Sequence, residues 1–297
     1  MPRYAQAMLL VTGATGFIGS SLLPRLTDSG TPVRCLVRDP RRLGAERVKV
    51  QISLGELTDH RALRNAVRGV RTVIHLGAAS SDQPRATIEE LGSIATWRLV
   101  EAAERAGVER MIFMSALGAA FDAPTRLLRD KAIAQDAVAS AAFSTTTLAP
   151  SLVAGADDEL QAATAALARL PLFPLAGGGR GTFEPAWVED VVTAIEAELA
   201  LGPQPGHRRV ELAGPERLRG RQVARLGLRA VAARRLVVPA PPSWVASSLR
   251  LLGGDALPKA WDPQAFLGAE MTSDEGVAGF RELGISPLSF TEVLGLA

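Results

Sequence analysis

The sequence predicts an α/β fold, a doubly wound parallel sheet with a smaller C-terminal lobe. Three observations predict it. Over the first 150 residues, short apolar runs alternate with stretches of helical period. The first run passes straight into "TGATGFIG" (12–19), a glycine turn that opens a helix. After Pro150 the rhythm gives way to proline- and glycine-rich stretches and a closing set of helices. Strands that alternate with helices pair in parallel through right-handed crossovers, because each helix must pack back onto the sheet.

The elements follow in order. Residues 8–12 (MLLVT) are expected to form a strand, 17–29 a helix and 33–37 (VRCLV) a second strand. "RVKVQIS" at 47–53 reads as a third strand, and 59–68 as a short helix with Ala62, Leu63, Ala66 and Val67 on one side. "TVIHLG" at 72–77 is the fourth strand. One long helix is expected over 86–106, with Leu99, Val100, Ala103 and Ala106 as its inner stripe. "RMIFMS" at 110–115 is the fifth strand. A helix at 126–141 leads to "STTTL" at 144–148, a strand stopped by Pro150, which has no N–H to offer a ladder. "LPLFPLAGGGRGTFEP" at 170–185 reads as loop. "WVEDVVTAIEAELALG" at 187–202 is a helix ending at Gly202, and "RRVELAG" at 208–214 is a strand. Helices are expected near 219–234, 243–252, 274–283 and 289–296. The expected division is a large domain over 1–213, with a loop excursion at about 154–182, and a small lobe over 214–297 for a substrate or partner.

Composition narrows the function classes. Of 297 residues, 47% are hydrophobic and 22% charged, ordinary for a globular chain. The 33 basic residues are balanced by 31 acidic ones interleaved with them, which argues against a nucleic-acid partner. "RLRGR" at 217–221 and the pairs Arg208–Arg209 and Arg234–Arg235 are too short to change that, and read as solvated faces. No apolar run is long enough for a transmembrane segment, and "MPRYAQAMLLVTG" lacks signal-peptide anatomy. The single cysteine, Cys35, allows no internal disulfide, so a cytoplasmic location is expected. His60, His75 and His207 have no metal-ligand spacing, so no metal is expected. "PAPPSWVASSLRLLGG" at 239–254 places Trp244, Val245, Leu249 and Leu252 on one side. It reads as a lid packed against the substrate cleft rather than as a membrane-surface helix, since Arg250 is its only cation.

The glycine turn carries the chemistry. Gly13, Gly16 and Gly19 follow a strand and open a helix, the setting in which such a loop cradles a dinucleotide pyrophosphate. Gly13 makes the turn, Gly16 admits the phosphates, and Gly19 lets helix and strand approach. The helix N-terminus supplies N–H donors and partial positive charge. At the end of the second strand stands Arg38, with Arg41 and Arg42 nearby and Asp39 one residue late. A cation there accepts a 2′-phosphate, so NADP(H) is favoured over NAD(H).

With these residues the chain resembles the short-chain dehydrogenase/reductase superfamily, in its extended and atypical branch, over nearly its whole length. "VTGATGFIG" resembles the family's opening, and "GELTD" (55–59) its adenine contact with Glu56 in place of aspartate. "VIHLGAA" (73–79), "ERAGVERMIFMSALGA" (104–119) and "LAPSLVAG" (148–155) are similar to its later cofactor-loop and active-site segments. "FEPAWVEDVVTAI" and "FRELGISPLSF" look most like the group that includes the NADPH-binding accessory subunit of respiratory complex I. The resemblance implies a Rossmann fold. It implies cofactor contacts from Gly13, Thr15, Gly16, Phe17, Ile18, Gly19, Arg38, Glu56, Leu57, Gly77, Ala78, Ala79, Lys131, Pro150, Leu152 and Val153. It implies an active-site serine at Ser115 and a lysine at Lys131, which in the family binds the nicotinamide ribose. The family's proton-transferring tyrosine lies four residues before that lysine, and here that position is Leu127. The only tyrosine, Tyr4, precedes the first strand, and the only asparagine, Asn65, lies on an early helix.

Leucine transfers no proton, and positioned acid–base catalysis contributes about 10²–10⁴-fold. The expectation is therefore an NADP(H)-binding protein with weak or no usual oxidoreductase activity and a structural, regulatory or redox-sensing role, with a respiratory-complex-like protein partner in view. One alternative is an active NADPH-dependent reductase or epimerase using Lys131, or a nearby carboxylate such as Asp122 or Asp130, as its acid. Another is a partner-binding protein that has lost the cofactor. No substrate follows from the sequence.

Overall fold

The computed structural model describes residues 8–79, 82–155, 158–253 and 269–296. The first half runs β1 (Leu9–Thr12), α1 (Phe17–Asp28), β2 (Val33–Val37), a 3₁₀ helix (Pro40–Val48), β3 (Gln51–Leu54), α2 (His60–Ala66), β4 (Thr72–His75), α3 (Ile88–Leu91), α4 (Ser93–Ala106), β5 (Arg110–Met114), α5 (Arg126–Ala139) and β6 (Ser144–Pro150). The second half runs β7 (Val153–Ala154), α6 (Glu159–Leu167), β8 (Leu172–Ala176), β9 (Thr182–Phe183), β10 (Ala186–Trp187), α7 (Val188–Leu201), β11 (His207–Leu212), β12 (Leu218–Arg219), α8 (Gly220–Ala230), β13 (Leu236–Ala240), α9 (Pro242–Gly253), β14 (Glu270–Met271), α10 (Ala278–Glu282) and α11 (Phe290–Val293).

Seven parallel strands form the central sheet in the order β11-β6-β5-β4-β1-β2-β3. The chain starts at β1, winds outward to β3 and then returns to β4 on the other side. The crevice at the carboxyl ends of β1 and β4 is the topological switch point, where such sheets bind ligands. The sheet buries both faces. Leu22, Leu23 and Leu26 of α1 and Val191, Val192 and Ile195 of α7 cover one; Leu63 of α2, Leu99 and Ala103 of α4 and Val138 of α5 cover the other. A separate apolar cluster joins α6, β8, α8, β13 and α9 around Phe173, Leu228, Val237, Val245 and Leu249. Phe280 of α10 returns to the main core beside Val210 and Leu212 of β11.

Several boundaries differ from the sequence expectation. The third strand begins at Gln51, not 47, because Asp39 accepts from Arg41 N and caps the 3₁₀ helix that takes up 40–48. The helix expected over 86–106 is two, α3 and α4, broken at Gly92. A side chain there would collide with Asp130, whose Oδ1 accepts the Ser93 amide at 3.0 Å. The carboxylate of α5 thus caps α4, which has no side-chain cap of its own. β6 runs through Pro150 instead of stopping before it. Proline lacks only the donor, and its carbonyl still accepts Leu117 N at 2.8 Å. The stretch 170–185, read as loop, contains β8 and β9; β8 pairs with β13, 64 residues further on at Leu172–Leu236, a partner no local pattern reveals. The closing helices are short, Ala278–Glu282 and Phe290–Val293. On α9, Val245 and Leu249 are buried but Trp244 points to solvent, so the four apolar residues do not share one environment.

Candidate functional site

The glycine loop closes the bottom of the crevice. Gly13 has φ of 73°, and a Cβ there would sit 2.6 Å from Gly77 N. Only glycine lets the β1 and β4 loops meet so closely. A Cβ on Gly19 would fall 2.2 Å from Gly13 O, so α1 packs on its own entry turn. Gly16 N–H donates to Gly13 O at 2.9 Å, and Gly16 caps α1 with no side-chain bond and no acidic residue in the first turn. The N-terminus of this twelve-residue helix is therefore open to an anion. The Phe17 ring lies against Gly155, and Leu57 lies against Gly77. The 13–17 turn, Leu57, Gly77 and Gly155 thus converge from four separate segments. Thr15 and Ile18 are half-buried, with Ile18 packed on the core; Ala78 is exposed and Ala79 half-buried. Arg38 and Glu56 are exposed at the ends of β2 and β3, while Asp39 is engaged by Arg41. Pro150 is buried, and Leu152 and Val153 are half-buried beside it.

Helix α5 forms the opposite wall. Thr125 caps it by accepting Leu128 N, and positions 127, 131 and 135 fall on one face. Lys131 Nζ donates to Met114 O at 2.9 Å and stands 5.3 Å from the Phe113 ring centroid. Burial pushes its pKa down to about 8, with Asp130 opposing. Leu127, half-buried, offers an apolar surface one turn away. Ser115 is buried, and its Oγ accepts Gln135 Nε2. Gln135 escaped the sequence reading, though it stands four residues after Lys131. Asp130 is turned to the α4 terminus, its pKa raised by burial, and Asp122 is exposed. Tyr4 lies outside the described residues.

His75 is more central than the sequence suggested. It is fully buried on β4, and its ring bridges Thr12 of β1 and Thr96 of α4. Thr96 Oγ1 donates to Gly92 O at 2.8 Å, so it accepts the hydrogen bond that His75 Nε2–H donates at 3.0 Å. That leaves Nδ1 as an acceptor for the Thr12 hydroxyl at 2.6 Å, and Thr12 Oγ1 in turn accepts Gly77 N at 3.2 Å. The chain requires a neutral imidazole. Burial, reinforced by the Lys131 charge, holds the pKa at about 3. The folded pKa is depressed below the ordinary 6.5, so the unfolded chain binds the proton first as pH falls. Stability should therefore drop between pH 6.5 and 3, by about 5 kcal/mol from this group at the full shift. Denaturant melts at pH 4 and pH 7 check this: the acid loss should shrink in His75→Gln, and an unchanged loss would remove His75 as its source. His60 and His207 stand apart, and among the described residues no group of three or more His, Cys, Asp or Glu side chains is placed to hold a metal.

A family profile described as NAD(P)H-binding matches residues 13–166. The chain is 31% identical, over 69% of its length, to NADH dehydrogenase [ubiquinone] 1 alpha subcomplex subunit 9, mitochondrial, of Arabidopsis thaliana, but spans only 53% of that protein. It is 30% identical to the NAD(P)H azoreductase of Xenophilus azovorans, covering 73% of this chain and 71% of that one. Among solved structures, a dTDP-glucose 4,6-dehydratase of Streptomyces venezuelae with NAD bound superposes with TM-score 0.72 at 20% identity, over 97% of this chain and 94% of that chain. A nucleoside-diphosphate-sugar epimerase of Staphylococcus aureus gives 0.72 at 18% identity, over 96% and 99%. At these identities the structures speak for the fold alone.

Proposed function

This chain belongs to the NAD(P)H-binding family of the short-chain dehydrogenase/reductase superfamily, and from that premise we propose that it holds NADP(H) with weak or no usual oxidoreductase turnover. The observation that carries the proposal is the α5 wall. Lys131 is retained and ordered, while the position one turn before it is leucine. The residues fit a dinucleotide. The uncapped α1 terminus and the Gly13–Gly77 approach suit a pyrophosphate, and Lys131 can exchange Met114 O for ribose hydroxyls. When bound, the cofactor supplies or accepts hydride; the chain's own residues hold it and exclude water from the Leu127 side. In this reading the nucleotide contacts are Gly13, Thr15, Gly16, Phe17, Ile18, Gly19, Arg38, Glu56, Leu57, Gly77, Ala78, Ala79, Pro150, Leu152 and Val153, with Ser115 held in place by Gln135.

Arg38 is proposed to select NADP(H). It is the cation at the end of β2, and Asp39, the competing carboxylate, is occupied by Arg41. A charge-assisted phosphate contact contributes about 1.5–3 kcal/mol. Arg38→Ala should therefore weaken NADPH binding roughly ten- to a hundredfold and leave NADH nearly unchanged. Calorimetric titration of both cofactors checks it, and equal affinities in the parent protein would overturn the preference.

One observation favours the second reading, an active reductase or epimerase. A lysine with pKa near 8 in apolar surroundings can give a proton near neutral pH. A role beside a respiratory complex is the corresponding proposal for a partner, supported by likeness to a complex I subunit. A cytoplasmic location belongs to the proposal too, supported by the single cysteine, Cys35, which can form no internal disulfide. No helix of the described residues is long and apolar enough to cross a membrane.

A further inference from the structure

The central sheet ends at β3, and no described strand pairs with its outer edge. β3 pairs with β2 alone. Gly55 N donates to Val37 O at 3.0 Å, and strand residues direct their backbone groups alternately to either side. Gln51 and Ser53 therefore bond toward β2, while the N–H and C=O of Ile52 and Leu54 point outward. Proteins usually blunt such an edge with proline, a bulge, a charge or a covering segment. β3 has no proline or charged residue, and the nearby Lys49 is turned aside to Asp28 and Glu46.

The two flanks of the edge differ in chemistry. Ile52 and Leu54 register with Cys35 and Val37, so they lie on the α1 side, and they are 38% and 67% exposed. Val48, just before them, is 84% exposed. On the α2 side, Arg61 and Arg64 of α2 and Arg68 in the turn that follows it line an open groove with Asn65. All three arginines are exposed, and none forms an ion pair with a described residue. Arg34 ties this flank to the edge. Its Nε donates to Gln51 Oε1 at 2.6 Å, and its Nη1 to the carbonyls of Ala66 and Arg68 at 2.6 and 2.7 Å.

We propose that β3 is a docking edge for an extended protein segment in which apolar and acidic residues alternate, added as an eighth strand. Successive side chains of a strand point to opposite faces. One set would lie on Val48, Ile52 and Leu54, and the other would meet Arg61, Arg64 and Arg68, while the outward groups of Ile52 and Leu54 complete the ladder. A second copy of this chain fits poorly, because it would bring its own Arg61, Arg64 and Arg68 to the same junction.

The test uses the whole protein and a dye-labelled eight-residue peptide of alternating valine and glutamate, followed by fluorescence anisotropy and by hydrogen exchange. Binding is expected, with new protection at the Ile52 and Leu54 amides. Arg64→Glu/Arg68→Glu should weaken it about tenfold or more, and Leu54→Asp should weaken it independently, both with NADPH affinity unchanged. Equal binding of an all-glutamate or a valine–lysine peptide overturns the proposal. So does protection elsewhere but not on β3, or no binding at millimolar peptide. Protection of β3 that rises with protein concentration and no peptide assigns the edge to a second copy instead, and overturns it equally.

Discussion

Glu198→Ala should cost about 3–5 kcal/mol of folding stability, enough to lower the melting temperature by roughly 10 °C. Glu198 is buried at the amino end of the sheet, where its Oε2 accepts Arg110 Nη2 at 2.9 Å and Thr146 Oγ1 at 3.1 Å. Its other oxygen meets Arg208 at 2.9 Å, and Arg208 reaches on to Glu282. One carboxylate thus joins α7 to β5, β6 and β11, and through Arg208 to α10. Arg110 is equally buried, so removing Glu198 breaks an ion pair inside the core from one side. The expected size is that of breaking a buried ion pair from one side, which exceeds what the attraction itself contributes. The corollary is non-additivity: Arg110→Met/Glu198→Leu should be far less damaging than either single change. Urea melts of the two singles and the double measure it. Additive losses would show that Arg110 and Glu198 do not couple, and would remove the broken pair as the source of the effect.

Lys131→Met should weaken NADPH binding about tenfold or more, since a charged donor to the ribose is lost. It should not unfold the protein. Burial of the ammonium is already unfavourable, which is why its pKa is about 8 rather than the ordinary 10.5, and methionine removes that cost. The sign of the pH dependence follows. Lys131 is charged below about 8 and loses its charge above, so parent NADPH affinity should fall as pH rises through 8, and the fall should vanish in Lys131→Met. The same variants decide between a holder and an enzyme. In a screen over aldehydes, ketones and quinones, little turnover in the parent agrees with the proposed function. Robust turnover that disappears in Lys131→Met while cofactor affinity persists would make Lys131 the catalytic acid. Leu127→Tyr alone is not expected to restore activity, because the pocket must also accept a substrate.

By itself the sequence determined the parallel α/β order, the glycine loop and the pairing of Lys131 with Leu127. Each depends on local spacing: strand–helix alternation, glycines three apart before a helix, and residues four apart on one helical face. Only tertiary structure decided the rest. Gly92 breaks a continuous helical pattern because Asp130, 38 residues later, occupies the space beside it. Gln135 meets Ser115, and His75 spans Thr12 and Thr96, through contacts that no period in the chain announces. β8 looked like loop because its partner, β13, is remote, and β3 looked longer because Val48 has strand propensity but an Asp39-capped helix to sit in. Local chemistry specifies backbone shape over a few residues. The proton on His75, the charge on Lys131 and the ends of strands are set by what folding brings beside them.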